Sequence, residues 1–283
     1  MKTQFQFLCL LLLFFESAVS AQDFPLSDGL YRIPYANNTK IYVQSDVSNH
    51  DPLGCFDMWG VEGTTYQIVA AASGWIRAIR DTSDRNCHPS LPSPDNWCCG
   101  EFNNYVVLEH PNGEWSTYIH LAKNSITGLG HEVGDWVETG TVLGQEGNVG
   151  CSTRSHLHFE VARPHDPDDP QPWSSHSGVV RADGKLLNPI FCNASDNNGL
   201  LIAKNYYTAG SCNDNCPTNL TVNSSSGTYN VHRADQTITS TSTYGSGIFT
   251  IYRAGNVVEL KPGFNASWGS DIKMLIKTCN QQN

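Results

Sequence analysis

The chain has 283 residues, of which 39% are hydrophobic and 16% charged, and its formal net charge is −10. This apolar content is enough for a packed core and excludes wholesale disorder, while the length suits one medium-sized domain and a smaller one. The acidic balance argues against a nucleic-acid-binding protein, which needs a basic surface, and against electrostatic docking to an anionic membrane.

The first 21 residues have the organisation of a secretory signal peptide. Lys2 gives a positive start, Phe7 to Phe15 is an apolar run, and Ala18 to Ala21 supplies the small residues of a cleavage site. We therefore predict cleavage after Ala21 and export to the extracellular space or the periplasm. An uncleaved anchor is the alternative, although the run is too short to span a bilayer comfortably, and no later segment is predicted to span one.

Cysteine usage fits an oxidising compartment. Of the ten cysteines, Cys9 would leave with the signal peptide, so nine remain in the mature chain. An odd number requires at least one cysteine that is free, bound to metal or paired between chains. Two local groups predict short disulfide loops, namely Cys87 with Cys98 and Cys99, and Cys212 with Cys216.

Short runs rich in β-branched and aromatic residues, separated by turn residues, predict β-strands. Pro111-Asn112-Gly113 lies between two such runs and predicts a hairpin turn. Because no long helical periodicity follows the signal peptide, we expect an all-β fold with an antiparallel β-sheet core. The predicted strands are Ile41–Val43, Gln67–Ala71, Trp75–Ile79, Tyr105–Glu109 and Trp115–Ile119.

The composition also predicts two surface loops and a linker. Residues 81–101 and 164–172 are rich in proline and polar residues, and Asn, Asp and Gly dominate residues 195–199. We therefore divide the mature chain into a domain over residues 22–194 and an accessory domain over residues 200–283.

A repeat with an offset of 20 occupies the accessory domain, where residues 229–238 align with residues 249–258. This period predicts the stacked coils of a small β-solenoid-like module, and a meander of hairpins is the alternative. The segment resembles the coat-hanger-stack modules that are appended to secreted bacterial proteins. That resemblance implies a targeting or adhesive role, such as attachment to a cell surface or wall.

The pattern His156-Leu157-His158-Phe159 places two imidazoles on one face of a predicted strand and two apolar side chains on the other. Two such imidazoles can share a metal site, or one can bind the metal while the other handles protons. The glycine-rich residues 144–150 precede them and permit close approach of the backbone to a site.

Further candidate ligands lie upstream. His120 ends the return strand of the predicted hairpin, and His50 lies seven residues before Asp57. Cys55 is a rival first ligand, because Cys55 and Asp57 share one face of an extended chain and a thiolate binds zinc well.

Taken together, these motifs resemble the lysostaphin/LytM-type zinc endopeptidases. The resemblance runs from about His50 to Val161 and implies a β-sheet core related to lipoyl-like barrels. It also implies a zinc ion (Zn2+) and hydrolysis of peptide bonds, in bacterial peptidoglycan or in glycine-rich peptides. The motifs, in chain order, are His50 to Asp57, Val69–Gly74, Asn104–Gly113, Thr117–Leu121, Val133–Gly144 and Ser155–Glu160.

The resemblance also assigns roles, with His50, Asp57 and His158 as the metal ligands and His120 and His156 as the catalytic histidines. The sequence departs from the family pattern at three points. The position four residues before Asp57 is a leucine, the segment from Cys87 to Cys99 enlarges a loop, and a Cys-Ser-Thr-Arg-Ser segment from Cys151 replaces the usual Ser-Thr-Gly loop.

Two other functions compete with that of an active secreted metalloendopeptidase. One is a degenerate family member that binds the wall or activates other hydrolases, and the other is an adhesin. Retention of a candidate at all five positions favours the enzyme. We expect Glu160 and Asp135 to be surface carboxylates rather than supports for the ligands. The remaining histidines are predicted to be solvated: His88, His110, His131, His165, His176 and His232.

Overall fold

The structure is a computed structural model that describes residues 24–87, 100–166, 170–181, 184–194, 198–212, 217–224 and 227–277. The predicted signal peptide lies outside this range. Within it, the regular structure is β-strand apart from two 3-10 turns, Gly100–Phe102 and Thr127–Leu129, which confirms the all-β fold class. None of the described helical segments is long and apolar enough to cross a membrane.

Thirteen strands precede the repeat region. They include the predicted hairpin, whose two strands have the predicted bounds and whose turn places Gly113 at a φ of 77°. The strands are β1 (Leu26–Tyr31), β2 (Lys40–Ser45), β3 (Phe56–Gly60), β4 (Gln67–Val69), β5 (Gly74–Arg80), β6 (Tyr105–Glu109), β7 (Trp115–Ile119), β8 (Trp136–Val137), β9 (Val142–Gln145), β10 (Leu157–Arg163), β11 (Lys185–Leu186), β12 (Asn188–Phe191) and β13 (Tyr206–Thr208).

A nine-stranded sheet carries the core of this region, in the order β13-β2-β3-β10-β7-β6-β5-β8, with β11 added beside β10. Its pairings are antiparallel, as the sequence predicted. Strand alternation puts Val43, Met58, Leu157 and Phe159 into one buried cluster. The side chains between them in sequence therefore project from the opposite face, which is the face that carries the polar site.

A short parallel pair, β1 with β12, closes another side of the core. Glu114 fixes β1 to the hairpin because its buried carboxylate accepts hydrogen bonds from Ser27 Oγ at 2.7 Å, Asp28 N at 2.8 Å and Tyr31 Oη at 2.8 Å. The Arg163 guanidinium forms a salt bridge with the same carboxylate, with 3.1 Å between Nη2 and Oε1. A buried carboxylate is tolerated only with such compensation.

The repeat region forms three parallel sheets, in contrast to the antiparallel core. Tyr229 pairs with Phe249 and Ile238 pairs with Val258, so the sequence offset of 20 is the register of pairing. Parallel pairing rules out a meander of hairpins over these residues. The strands are β14 (Asn219–Val222), β15 (Tyr229–Ala234), β16 (Thr237–Ser240), β17 (Thr243–Tyr244), β18 (Phe249–Ala254), β19 (Val257–Leu260), β20 (Asn265–Ala266) and β21 (Asp271–Ile276).

The two regions are more closely joined than the proposed boundary at residue 200 suggests. Strand β13 follows that boundary and still pairs with β2 in the main sheet. Cys192 and Cys212 form a disulfide across the predicted linker, so the expected pairing of Cys212 with Cys216 is wrong. A buried cluster combines Leu30 and Ile190 with Ile251 of the repeat region.

Candidate active site

The pairing of three central strands brings the predicted site residues together. His158 on β10 lies directly opposite Asp57 on β3 and Ile119 on β7. His120 therefore follows immediately beside the site, and its φ of 69° places it in the left-handed region, an uncommon conformation for a non-glycine residue. Such strain persists where the surrounding structure enforces it, and it is frequent at functional sites.

The Asp57 carboxylate is the centre of the cluster. Its oxygens lie 3.2 Å from His50 Nε2, 3.1 Å from His158 Nδ1 and 3.4 Å from His156 Nε2. The ring of His120 stacks at a tilt on that of His156, with 4.6 Å between their centroids. The structure thus brings together all five residues that the sequence singled out.

The second nitrogen of each imidazole faces an acceptor outside the cluster. These outer acceptors favour a proton on the nitrogen that faces them, so the inner nitrogen of each ring is the one available to a metal ion; the inner nitrogens of His50, His156 and His158 face the Asp57 carboxylate. The fold therefore orients all four rings with one nitrogen towards the cluster. The pairs are His50 Nδ1 with Pro52 O at 2.7 Å, His120 Nδ1 with Val149 O at 2.8 Å, His156 Nδ1 with Arg154 O at 2.9 Å and His158 Nε2 with Glu160 Oε1 at 2.9 Å.

Glu160 differs most from its predicted environment. We expected a surface carboxylate, but it is 2% exposed and accepts four hydrogen bonds. One oxygen accepts from His158 Nε2 and Cys55 Sγ, and the other accepts from Thr117 Oγ1 and Val180 N. The available signal was its spacing, since residue i+2 from His158 shares the same strand face. Asp135 is exposed, as predicted.

Protonation in the cluster is set by burial and by neighbouring charge. Burial alone would raise the pKa of Asp57, but hydrogen bonds from His156, His158 and His50 outweigh it and hold that pKa well below its usual range. Burial, with the nearby His156 and His158, lowers the pKa of His120 well below its usual value. The cluster therefore contains an ionised carboxylate and a neutral His120 at physiological pH.

Two groups among the described residues could hold a metal ion, and they share His158. The first is His50, Asp57 and His158, and the second is Cys55, His158 and Glu160. In the second group, burial and Glu160 raise the pKa of the Cys55 thiol to about 12, and Glu160 already accepts four hydrogen bonds. The second group thus lacks the deprotonated, uncommitted donors that a metal needs.

The first group fits zinc. Its ligand atoms lie within 4.8 Å of one another, and it offers two imidazole lone pairs and one ionised carboxylate. Three protein ligands of these types, with a further position open to water or substrate, are the usual donor set of a catalytic zinc site. The bond from His158 Nε2 to Glu160 adds the carboxylate support that metal-binding histidines generally have.

Open space flanks the cluster on both sides. On one side is a cavity of about 280 Å³ lined by Gln44, Asp57, Trp59, Thr153, Arg154 and His156. On the other is a cavity of about 950 Å³, which has Cys55, His158 and Glu160 at one wall and Asp271 and Lys273 of the repeat region at another. The cluster thus borders two cavities, the larger of which also reaches the repeat region.

The histidines outside the cluster only partly match their predicted solvation. His110 is 1% exposed and bonds Ser73 O at 2.9 Å and Ser116 Oγ at 2.8 Å, so the prediction of a surface residue is wrong. His232 is partly buried beside Tyr252, which also departs from the prediction. His131 is partly buried, His165 and His176 are exposed, and His88 lies outside the described residues.

Residues 55–170 match the family model for peptidase family M23. This segment belongs to peptidase family M23. The match contains Asp57, His120, His156 and His158 and begins just after His50. The predicted resemblance to LytM-type peptidases is therefore confirmed for the M23 segment.

Relatives of the M23 segment include lysostaphin and a peptidoglycan DD-endopeptidase. Lysostaphin of Staphylococcus simulans is 30% identical over 91 residues, which is 31% of this chain and 17% of lysostaphin. "Peptidoglycan DD-endopeptidase ShyA" of Vibrio cholerae is 38% identical over 58 residues, 20% of this chain and 12% of that protein. The matches thus span less than a fifth of each relative's length.

Among solved structures, the M23 metalloprotease pseudoalterin from the deep sea is 20% identical, and the match covers 48% of this chain and 72% of that chain with a TM-score of 0.33. Lysostaphin from Staphylococcus simulans is 23% identical, with 46% of each chain covered and a TM-score of 0.32.

Proposed function

We propose that this chain is a secreted zinc-dependent endopeptidase that hydrolyses peptide bonds in bacterial peptidoglycan. The M23 segment supports a peptidase, and the names of its relatives, lysostaphin and a peptidoglycan DD-endopeptidase, support the substrate. The observation that carries the proposal is the convergence of three imidazoles on the ionised Asp57 carboxylate, with His120 packed against one of them.

In this proposal His50 Nε2, the Asp57 carboxylate and His158 Nδ1 hold the metal. Zinc in such a site supplies a Lewis acid that polarises the scissile carbonyl and lowers the pKa of water to about 7. Glu160 keeps the proton on His158 Nε2, so the Nδ1 lone pair stays aimed at the site.

His120 and His156 handle protons. Each directs Nδ1 at a backbone carbonyl and Nε2 into the cluster, where His156 Nε2 lies 3.4 Å from an Asp57 oxygen. Because the pKa of His120 is depressed by burial and by the neighbouring imidazoles, this ring is neutral and able to accept a proton from the attacking water. A protonated ring of the pair would then donate to the oxyanion or to the leaving amine.

The cysteines support export. Cys87, Cys151, Cys192 and Cys212 are in disulfides, which persist in oxidising compartments. Of the cysteines that the structure describes, Cys55 is the free thiol, in agreement with the odd count in the mature chain. We further propose that the repeat region attaches the enzyme to the wall.

The test uses the full mature chain. Its zinc content is measured, and it is incubated with purified walls of two cross-link chemistries, direct stem-peptide links and glycine bridges, after which new amino termini are identified. We expect about one zinc per chain and new amino termini that His156→Ala abolishes. A folded protein that binds walls but holds no zinc and releases no amino termini would be the degenerate family member instead.

A further inference from the structure

A row of three aromatic side chains extends across the sheet from the candidate active site. The row consists of Trp59 on β3, Tyr42 on β2 and Tyr206 on β13, which are direct cross-strand partners. The ring centroids are 5.2 Å apart between Trp59 and Tyr42 and 5.0 Å apart between Tyr42 and Tyr206. None of the three belongs to the metal or proton machinery described above.

The row and the site share one face of the sheet. Trp59 is two residues from Asp57 on β3, so both side chains project from the same face. Trp59 also lines the cavity of about 280 Å³ that contains Asp57 and His156. A substrate held at the metal residues would therefore continue over Trp59 and along the row.

The row is an open, rigid surface rather than a pocket. Tyr206 is 61% exposed, and Tyr42 and Trp59 are partly exposed, while their sequence neighbours Ile41, Val43 and Met58 anchor the strands in the core. Aromatic side chains on paired strands lose little entropy on binding because they are already ordered. An exposed aromatic row of this kind marks a binding surface.

Polar and cationic groups border the row. The Arg154 guanidinium stacks over one face of the Trp59 ring, 3.7 Å from its centre, and Lys40 Nζ lies over the Tyr206 ring at 5.6 Å, where it also pairs with Glu62 at 2.9 Å. Gln44 and Thr153 line the cavity beside Trp59. These groups offer hydrogen-bond donors and acceptors beside the aromatic rings, which suits a strongly polar ligand.

We infer that this row binds the glycan strand of the substrate, by stacking aromatic faces against the C–H faces of sugar rings. A sugar ring presents C–H groups on its face and hydroxyls at its rim, which matches the exposed rings of Tyr42 and Tyr206 with the polar groups of Arg154, Lys40 and Gln44 beside them. A peptide side chain would need a pocket for specificity, and an added peptide strand would pair at the open edge of β13, not on the sheet face. The inference rests on the proposed function, since it names the substrate part held beside the cleavage site.

The test separates glycan binding from peptide hydrolysis. Glycan strands freed of stem peptides are titrated against the full mature chain by calorimetry, with His156→Ala as background so that hydrolysis plays no part. We expect Tyr42→Ala and Tyr206→Ala each to weaken binding about fivefold or more, as for a central aromatic contact. Tyr206→Phe, which keeps the ring face, should bind like the parent chain.

Trp136→Ala is the matched control, because Trp136 is 42% exposed and pairs with Trp75 at the opposite edge of the same sheet. It should bind glycan like the parent chain. The inference would be overturned if the folded Tyr42→Ala and Tyr206→Ala variants bound glycan with the affinity of the parent chain. It would also be overturned if these variants lost affinity only for a stem peptide that carries no sugar. Because the titration needs no turnover, failure of the proposed peptidase activity would be seen separately in the wall-digestion assay.

Discussion

Replacing Glu160 with glutamine tests whether the fold fixes the tautomer of His158 for metal binding. The Glu160 carboxylate accepts from four donors, two on each oxygen. A glutamine amide supplies one acceptor oxygen and one NH2 group, so in either orientation the NH2 group meets donors. If NH2 faces His158, the Nε2 bond is lost, and if it faces Val180 N, that buried backbone donor is left without its acceptor.

The structure sets the scale of the effect. An unsatisfied buried donor costs about 1–3 kcal/mol of folding free energy. Loss of a carboxylate that supports a metal-binding histidine typically weakens metal affinity or activity about 10- to 100-fold. We therefore expect Glu160→Gln to raise the zinc dissociation constant by that factor and to lower the thermal midpoint.

The assay is zinc competition against a chelator of known affinity, with thermal unfolding of the metal-free protein alongside it. Glu109→Gln is the control, because Glu109 is a carboxylate on β6 that pairs with Arg77 at the surface, and such pairs contribute little. An unchanged zinc affinity in folded Glu160→Gln would refute the view that Glu160 positions His158.

Three further predictions concern stability and modularity. A chain ending at residue 218 should keep cleavage of a soluble peptide but unfold at a lower temperature and bind walls less. A chain ending at Cys192 should unfold at a still lower temperature because it also lacks β13 and the disulfide. Equal thermal midpoints for the two chains would contradict this. Replacing both Cys192 and Cys212 with serine should lower the unfolding free energy, measured by denaturant titration, by about 3 kcal/mol, because the disulfide closes a loop with a sequence separation of 20. An unchanged value would show that the disulfide contributes nothing to stability. Burial lowers the pKa of His232 to about 4. Because the unfolded chain therefore binds this proton at a higher pH than the folded chain does, the free energy of unfolding should fall as the pH drops from about 6.5 to about 4. A His232→Gln variant whose thermal midpoint keeps the same acid sensitivity would exclude this cause.

The sequence predicted the parts of the fold that depend on local pattern. Short runs of β-branched and aromatic residues and the Pro111-Asn112-Gly113 turn defined the central hairpin to the residue. The repeat predicted the later register, because residues at the same repeat position pair between neighbouring parallel strands. The motif order also identified the five residues that the structure brings together around Asp57.

Features that depend on distant contacts were missed. Glu160 looked like a surface carboxylate because nothing local shows that Val180 and Thr117 cover it. His110 lies beside a turn, but it is buried against the segment between β4 and β5, where Ser73 O bonds its ring. The pairing of Cys192 with Cys212 was not predicted, since sequence spacing does not determine disulfide connectivity.

Zinc content measured in two variants of the full mature chain tests the central claim most directly. We predict that Cys55→Ser retains about one zinc per chain and that His50→Ala loses it, because His50 Nε2 faces Asp57 while the Cys55 thiol is buried, protonated and bonded to Glu160. Loss of zinc and loss of wall cleavage should coincide in His50→Ala. Full zinc in folded His50→Ala, with none in folded Cys55→Ser, would contradict this account of the site.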